Sequence, residues 1–173
     1  MKLRLAPLGV SDREPFLAAT RESRRFHRPW VRPPTSSAEF SAFVEGIGPS
    51  RERLLLWGTD AAGDEVVAGY FSLGEIVRGQ LNSAYLGYWA SHGWAGRGAM
   101  SAGMRMLLRH AFRSVRLHRV EANIQPENLA SIALARRAGF RREGLSPRYL
   151  KIGGRWRDHE RWAVTVEDWR RGS

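Results

Sequence analysis

One stretch, Trp94-Ala95-Gly96-Arg97-Gly98-Ala99-Met100, constrains this chain more than any other. It joins a strand-like run, Ser83 to Ala90, to a helical one, Ala99 to Arg113. In the helical run Met100, Met104, Leu107, Leu108, Ala111, Phe112 and Val115 recur at helical spacing, so that face must lie on a sheet. Strand, glycine turn and helix in that order make an anion site. Backbone N–H groups converge at the helix start, the helix dipole favours negative charge, and glycine lets a phosphate come close. Two common phosphate loops are excluded by spacing. A Walker A loop needs Lys and Ser/Thr after its last glycine, and Ala99-Met100 follow Gly98; a dinucleotide fingerprint needs glycine where Ser101 stands. A pyrophosphate site of another kind, or an ordinary glycine turn, remains.

The rest of the chain supplies the elements around that turn. Leu3 to Ala6 reads as a strand. Ser11-Asp12-Arg13-Glu14 fits a capping box opening a helix from Asp12 to about Glu22. Arg25 to Pro34 carries Pro29, Pro33 and Pro34 and reads as an ordered loop with exposed aromatics. Thr35-Ser36-Ser37 can cap a second helix with Phe40, Phe43, Val44 and Ile47 on one face, ended by Gly48-Pro49. Arg53 to Thr59, Glu65 to Leu73 and Ser83 to Ala90 are strands at antiparallel hairpin spacings. Arg119 to Ile124 is a strand, and Asn128 to Ala138 a helix closed by Gly139. Arg141 to Ile152 and Arg155 to Val166 form a last hairpin around Gly153-Gly154. The expected architecture is a single α+β domain over 1–173, of order β-α-α-β-β-β-α-β-α-β-β. It has about seven strands in a mixed sheet and about four flanking helices.

Composition narrows the function classes. At 173 residues, with 43% hydrophobic and 26% charged residues, the chain can bury a core and is not expected to be disordered. Cysteine is absent, which removes disulfides, zinc-thiolate sites and a Cys nucleophile. His27, His92, His110, His118 and His159 show no metal-ligand spacing, so no metal is expected. No apolar run is long enough for a membrane span, and the N-terminus has no signal-peptide core, which predicts a cytoplasmic protein. The charge is +11, and of the 28 basic residues only Lys2 and Lys151 are lysine. A polyanionic partner explains that excess; codon usage of a GC-rich genome explains the arginine preference.

Thirty residues beyond the glycine turn lies Asn128-Leu129-Ala130-Ser131-Ile132-Ala133-Leu134-Ala135-Arg136-Arg137-Ala138-Gly139-Phe140. With this second segment the chain resembles the GNAT N-acetyltransferase superfamily, whose acyl-CoA N-acyltransferase fold has a similar element order. The glycine turn looks like its acetyl-CoA motif, with Ala95 in place of Arg/Gln and Met100 in place of Gly/Ala. Leu86-Gly87-Tyr88-Trp89, the Phe26-x-x-Pro29-Trp30 loop and Trp156-Arg157-Asp158-His159 look like the RimJ/RimL branch, which acetylates N-terminal Ala or Ser of ribosomal proteins.

The resemblance implies acetyl-CoA as co-substrate and no metal. It places the backbone of Tyr88, Trp89 and Ala90 along the thioester and pantetheine arm. Gly96, Arg97, Gly98, Ala99, Met100 and Ser101 would cradle the pyrophosphate, with Arg97 adding charge or simply solvated. Asn128 would bond the pantetheine or fix its loop. The superfamily's tyrosine acid position is Ala135 here, which leaves Ser131 to protonate the leaving sulfur unless it is only a helix-surface serine. Glu121 is the expected base, or else a salt-bridge partner; where some relatives have a carboxylate before Tyr149, this chain has Arg148. Trp30, Tyr149, Trp156 and Asp158 are expected at the acceptor, with His159 lining its groove; the aromatics could instead pack over the sheet edge. An α-amine, with a pKa near 8, costs about 1.4 kcal/mol to neutralise at pH 7, against roughly 4.6 for lysine, so orientation and a water relay could replace a strong base. The expected partner is a protein N-terminus, from a ribosomal or ribosome-associated protein, met by a monomer or homodimer with no specific nucleic-acid readout. The alternatives are a small-molecule amine acetyltransferase and, in another class, a basic RNA- or ribosome-binding module without catalysis.

Overall fold

The computed structural model describes residues 2–172. Seven strands form one sheet in the order β1-β2-β3-β4-β5-β7-β6: β1 (Leu3–Pro7), β2 (Arg51–Thr59), β3 (Glu65–Val77), β4 (Ser83–Ala90), β5 (Arg119–Ile124), β6 (Arg141–Ile152) and β7 (Arg155–Thr165). Only β4 and β5 run parallel; every other neighbour is antiparallel. The expected mixed sheet of the GNAT fold is present.

Both faces of the sheet are covered, which is why β2 reads Leu54-Leu55-Leu56-Trp57 rather than alternating with polar residues. Leu54 and Leu56 join the core beneath α4 (Ala99–Arg109) and α5 (Leu129–Arg137). Leu55 and Trp57 join the core beneath α1 (Arg13–Glu22) and α3 (Ser37–Glu45). Helix α4 lies close on the sheet because Gly103 has no Cβ: one there would fall 2.7 Å from Phe71 and 2.8 Å from Leu56.

Among the described residues six α-helices are present rather than four. The two additional ones are short, α2 (Arg24–His27) inside the expected loop and α6 (Val166–Arg171) at the end of the chain. The Thr165 hydroxyl accepts from the Asp168 N–H at 3.3 Å and starts α6 one residue before the expected end of β7. Helix α1 begins at Arg13, without the Ser11–Glu14 capping box. Ser11 lies within a 3-10 turn, Val10–Asp12, and the Asp12 carboxylate accepts from the Gly9 N–H at 2.7 Å. The box expected at Thr35-Ser36-Ser37 does form: Ser36 accepts from Glu39 N–H, and the Glu39 carboxylate accepts from Ser36 N–H. Phe40 is buried there, whereas Ile47 falls beyond the helix end and is exposed. The helix expected through Arg113 stops at Arg109 and widens into a π turn, His110–Ser114, that seats Ala111 and Phe112 in the core.

Candidate active site

The site begins where the parallel pair separates. The ladder joins only Ser83–Tyr85 of β4 to Arg119–Glu121 of β5. Beyond it the strands splay, although β4 stays paired to β3 through Ala90. Ser91 N–H donates to Ala68 O of β3 at 3.0 Å, so by alternation Trp89 also turns its peptide groups to β3. Tyr88 and Ala90 turn theirs into the gap, where no strand receives them. The Ala90 carbonyl is taken by His27, whose Nε2–H donates at 2.9 Å. That leaves the Tyr88 peptide facing an open cleft of about 480 Å³, whose lining stops short of Ala90.

Of the expected wall of Tyr88, Trp89 and Ala90, Trp89 departs. Its ring is buried on the other face, stacked on Tyr70 at 5.4 Å and 15°. Tyr88 sends its side chain to α5, where its hydroxyl lies 2.6 Å from Ser131 Oγ and donates to Ser131 O at 3.3 Å. Burial pushes the Tyr88 phenol up to about 12, so it remains a neutral donor. Asn128 is the N-cap of α5, its Oδ1 accepting from Ser131 N–H at 3.2 Å. Asn128, Ser131 and Tyr88 all line the cleft.

The glycine turn stands at the start of α4. Gly96 (φ 74°) and Gly98 (φ 82°) adopt left-handed backbone, and a Cβ on either would meet nothing within 4 Å. Gly98 is the N-cap of α4, and the open space beside it leaves the first N–H groups of the helix approachable. A phosphate-bearing group fits such a cradle. Arg97 is exposed, whereas Ala99 is fully buried and Ser101 half-buried. Met100 is explained by Gly69 of β3, where a Cβ would come within 2.6 Å of Met100 Sδ. The large side chain occupies the space that the missing one leaves.

The acceptor residues divide. Trp30 and Tyr149 line the cleft; the Trp30 carbonyl accepts from Gln125 Nε2 at 3.4 Å, and the Tyr149 hydroxyl lies 3.4 Å from that of Tyr85. Trp156 does not line it and stands 61% exposed on the hairpin. Asp158 is equally remote: it accepts from Arg148 N–H at 2.7 Å and holds the bulge where Arg148 has φ 47°. Glu121 also lies outside the lining, with Arg119 at 3.0 Å on one oxygen and Arg161 at 2.8 Å on the other. Alternation put its side chain on the right face but could not show two guanidinium groups waiting there.

His159 reaches the cleft wall. Its Nδ1–H donates to Arg157 O at 3.0 Å, which leaves Nε2 as the basic nitrogen, and burial keeps its pKa below the ordinary histidine value. Tyr85, not singled out from sequence, contributes its phenol beside Tyr149. Its place after two small residues in a strand carried no distinguishing signal.

Residues 2–141 match the family model for the acetyltransferase (GNAT) domain. The chain belongs to the GNAT acetyltransferase family. This acetyltransferase is 32% identical over 171 residues to the ribosomal protein uS5-alanine N-acetyltransferase of Escherichia coli (strain K12), covering 94% of this chain and 88% of that one. The solved structure of Mycobacterium smegmatis RimJ in complex with CoA-disulfide is 29% identical, with a TM-score of 0.84 over 96% of this chain and 83% of that one. A spermidine N-acetyltransferase from Vibrio cholerae, in complex with CoA and spermine, shares the fold at 21% identity, with a TM-score of 0.79 over 97% and 98% of the two chains. No helix of the described residues is long and apolar enough to cross a membrane.

Proposed function

We propose that this enzyme transfers acetyl from acetyl-CoA to the α-amine of a protein N-terminus, of the ribosomal-protein alanine/serine type. The observation that carries the reading is the splayed β4–β5 gap, which brings the unpaired Tyr88 peptide and the Tyr88–Ser131 hydroxyl pair into one cleft, while the open glycine turn stands outside its lining at the start of α4. The uS5-alanine N-acetyltransferase and RimJ named above support it, and the spermidine N-acetyltransferase shares the fold alone.

In this reading the Gly96–Gly98 turn and the start of α4 bind the pyrophosphate. The Tyr88 and Ala90 N–H groups face the thioester arm and stabilise oxygen as it gains negative charge. His159 Nε2, directly or through water, takes a proton from the α-ammonium. The neutral nitrogen forms a bond to the acetyl carbon, and the carbon–sulfur bond breaks. Ser131 Oγ gives a proton to the departing sulfur and recovers one from the newly acylated nitrogen, directly or through water, while the Tyr88 hydroxyl holds the serine in place. Glu121, clasped by two arginines, would fix Arg161 and Arg119 rather than act as base. Trp30 and Tyr149 grip the peptide, and Asp158 shapes the hairpin that carries Tyr149.

The experiment is an acceptor panel with acetyl-CoA, read by mass spectrometry: peptides starting with Ala or Ser, polyamines and aminoglycosides. Acetylated peptides are expected. Turnover of the small amines with every peptide left unmodified would replace this reading by a small-molecule one.

A further inference from the structure

Among the described residues eight of the 26 arginines form an ion pair, among them Arg4 with Glu65, Arg51 with Glu75, Arg119 with Glu121 and Glu143, and Arg142 with Glu160. Two acid-free basic segments border the cleft. Residues 24–34 hold Arg24, Arg25, Arg28 and Arg32 with no acid, and residues 147–157 hold Arg148, Lys151, Arg155 and Arg157 with no acid. None of these eight forms an ion pair among the described residues.

The two segments also meet. A Cβ on Gly153, at the tip of the β6–β7 hairpin, would fall 3.1 Å from an Arg32 guanidinium nitrogen. Val31 lines the cleft from one segment, and Leu150 and Ile152 line it from the other. The apolar wall therefore ends in a rim of unneutralised positive charge. Of the carboxylates nearby, Glu75 is engaged by Arg51 at 2.7 Å and Glu121 by two arginines, whereas Asp158 accepts from the Arg148 N–H and Glu127 forms no ion pair among the described residues. The eight cations of the two segments outnumber these two carboxylates.

We infer that the preferred acceptor is a peptide whose residues just after the N-terminal Ala or Ser are acidic, drawn in by the basic rim. This rests on the N-terminal reading proposed above and specifies its substrate class. The α-amine enters the cleft, and the following Asp or Glu side chains meet Arg32, Arg155 and Arg157. Such a rim acts on encounter and on ground-state binding, not on the reacting atoms.

The test compares peptides with the same first two residues, continued by acidic, neutral or basic residues, at low and high salt. At low salt kcat/KM is expected to be about tenfold higher for the acidic peptide than for the basic one, carried by KM, and the ratio should shrink at 0.5 M NaCl, about where screening shortens to a few ångströms. The double variant Arg155→Glu/Arg157→Glu, at exposed strand positions, should lose or reverse the preference, with the change carried by KM. Equal kcat/KM for all three peptides would overturn the inference and leave the N-terminal reading intact. No acetylation of any peptide, with spermidine acetylated instead, would overturn both. If the charge reversal abolished binding to a single-stranded RNA oligonucleotide and left the peptide ranking unmoved, the rim would be a nucleic-acid contact and the inference would fail.

Discussion

Ser131 and Tyr88 act as one unit, because their hydroxyls are 2.6 Å apart at the inner end of the cleft. Ser131→Ala should lower kcat about 10²-fold with little change in the KM for acetyl-CoA, the scale of a lost general acid. Tyr88→Phe removes only the partner's hydrogen bond and should cost about tenfold. Steady-state kinetics distinguish the two, and a normal kcat in Ser131→Ala would remove the serine from proton transfer. The place of Ser131 at the cleft was legible because few hydroxyls stand on that helix; its partner was not. Tyr88 lies 43 residues away in sequence, and only the splay of β4 from β5 brings the two together. Glu121 shows the converse. Strand alternation gave its face correctly, yet a carboxylate among 28 basic residues is claimed by whichever arginines the topology delivers, here Arg119 and Arg161.

Helix α4 depends on two residues without side chains, one at its start and one midway along it. Gly98 holds left-handed backbone at its start, so Gly98→Val should cost roughly 1–2 kcal/mol in stability and place a branched side chain in the phosphate cradle. Wild-type protein at acetyl-CoA concentrations 100 times Kd gains about 2.7 kcal/mol; the variant's thermal shift should largely vanish. An undiminished shift would move the pyrophosphate elsewhere. Gly103→Val tests the opposite face of the same helix. Its Cβ would collide with Phe71 and Leu56, and urea unfolding should show about 1–3 kcal/mol lost, more than the helix-propensity gain returns. Elements of this kind were legible from period and punctuation, and so were their bounds at β4 and β5. The short α2 and α6 were not read, although Thr165 and Asp168 carry the spacing of a cap. A single turn offers too few residues for a period to register.

At the scale of the whole molecule, burial lowers the pKa of both His27 and His159, so the folded protein keeps them neutral. Below the unfolded histidine value near 6.5 the unfolded chain binds protons that the folded one refuses. Stability therefore falls as pH drops from about 7 towards 5.5, and thermal melting across that window should show it. His27→Gln should flatten the slope, because His27 Nδ1 is buried without a partner and cannot accept a proton at low cost. The central claim concerns which nitrogen receives the acetyl group from the cleft between β4 and β5. The most direct measurement is fragment mass spectrometry of one peptide, beginning with Ala or Ser and containing an internal lysine, after incubation with enzyme and acetyl-CoA. Acetyl on the α-nitrogen alone is the predicted result; acetyl on the lysine side chain, with the α-amine untouched, would contradict it.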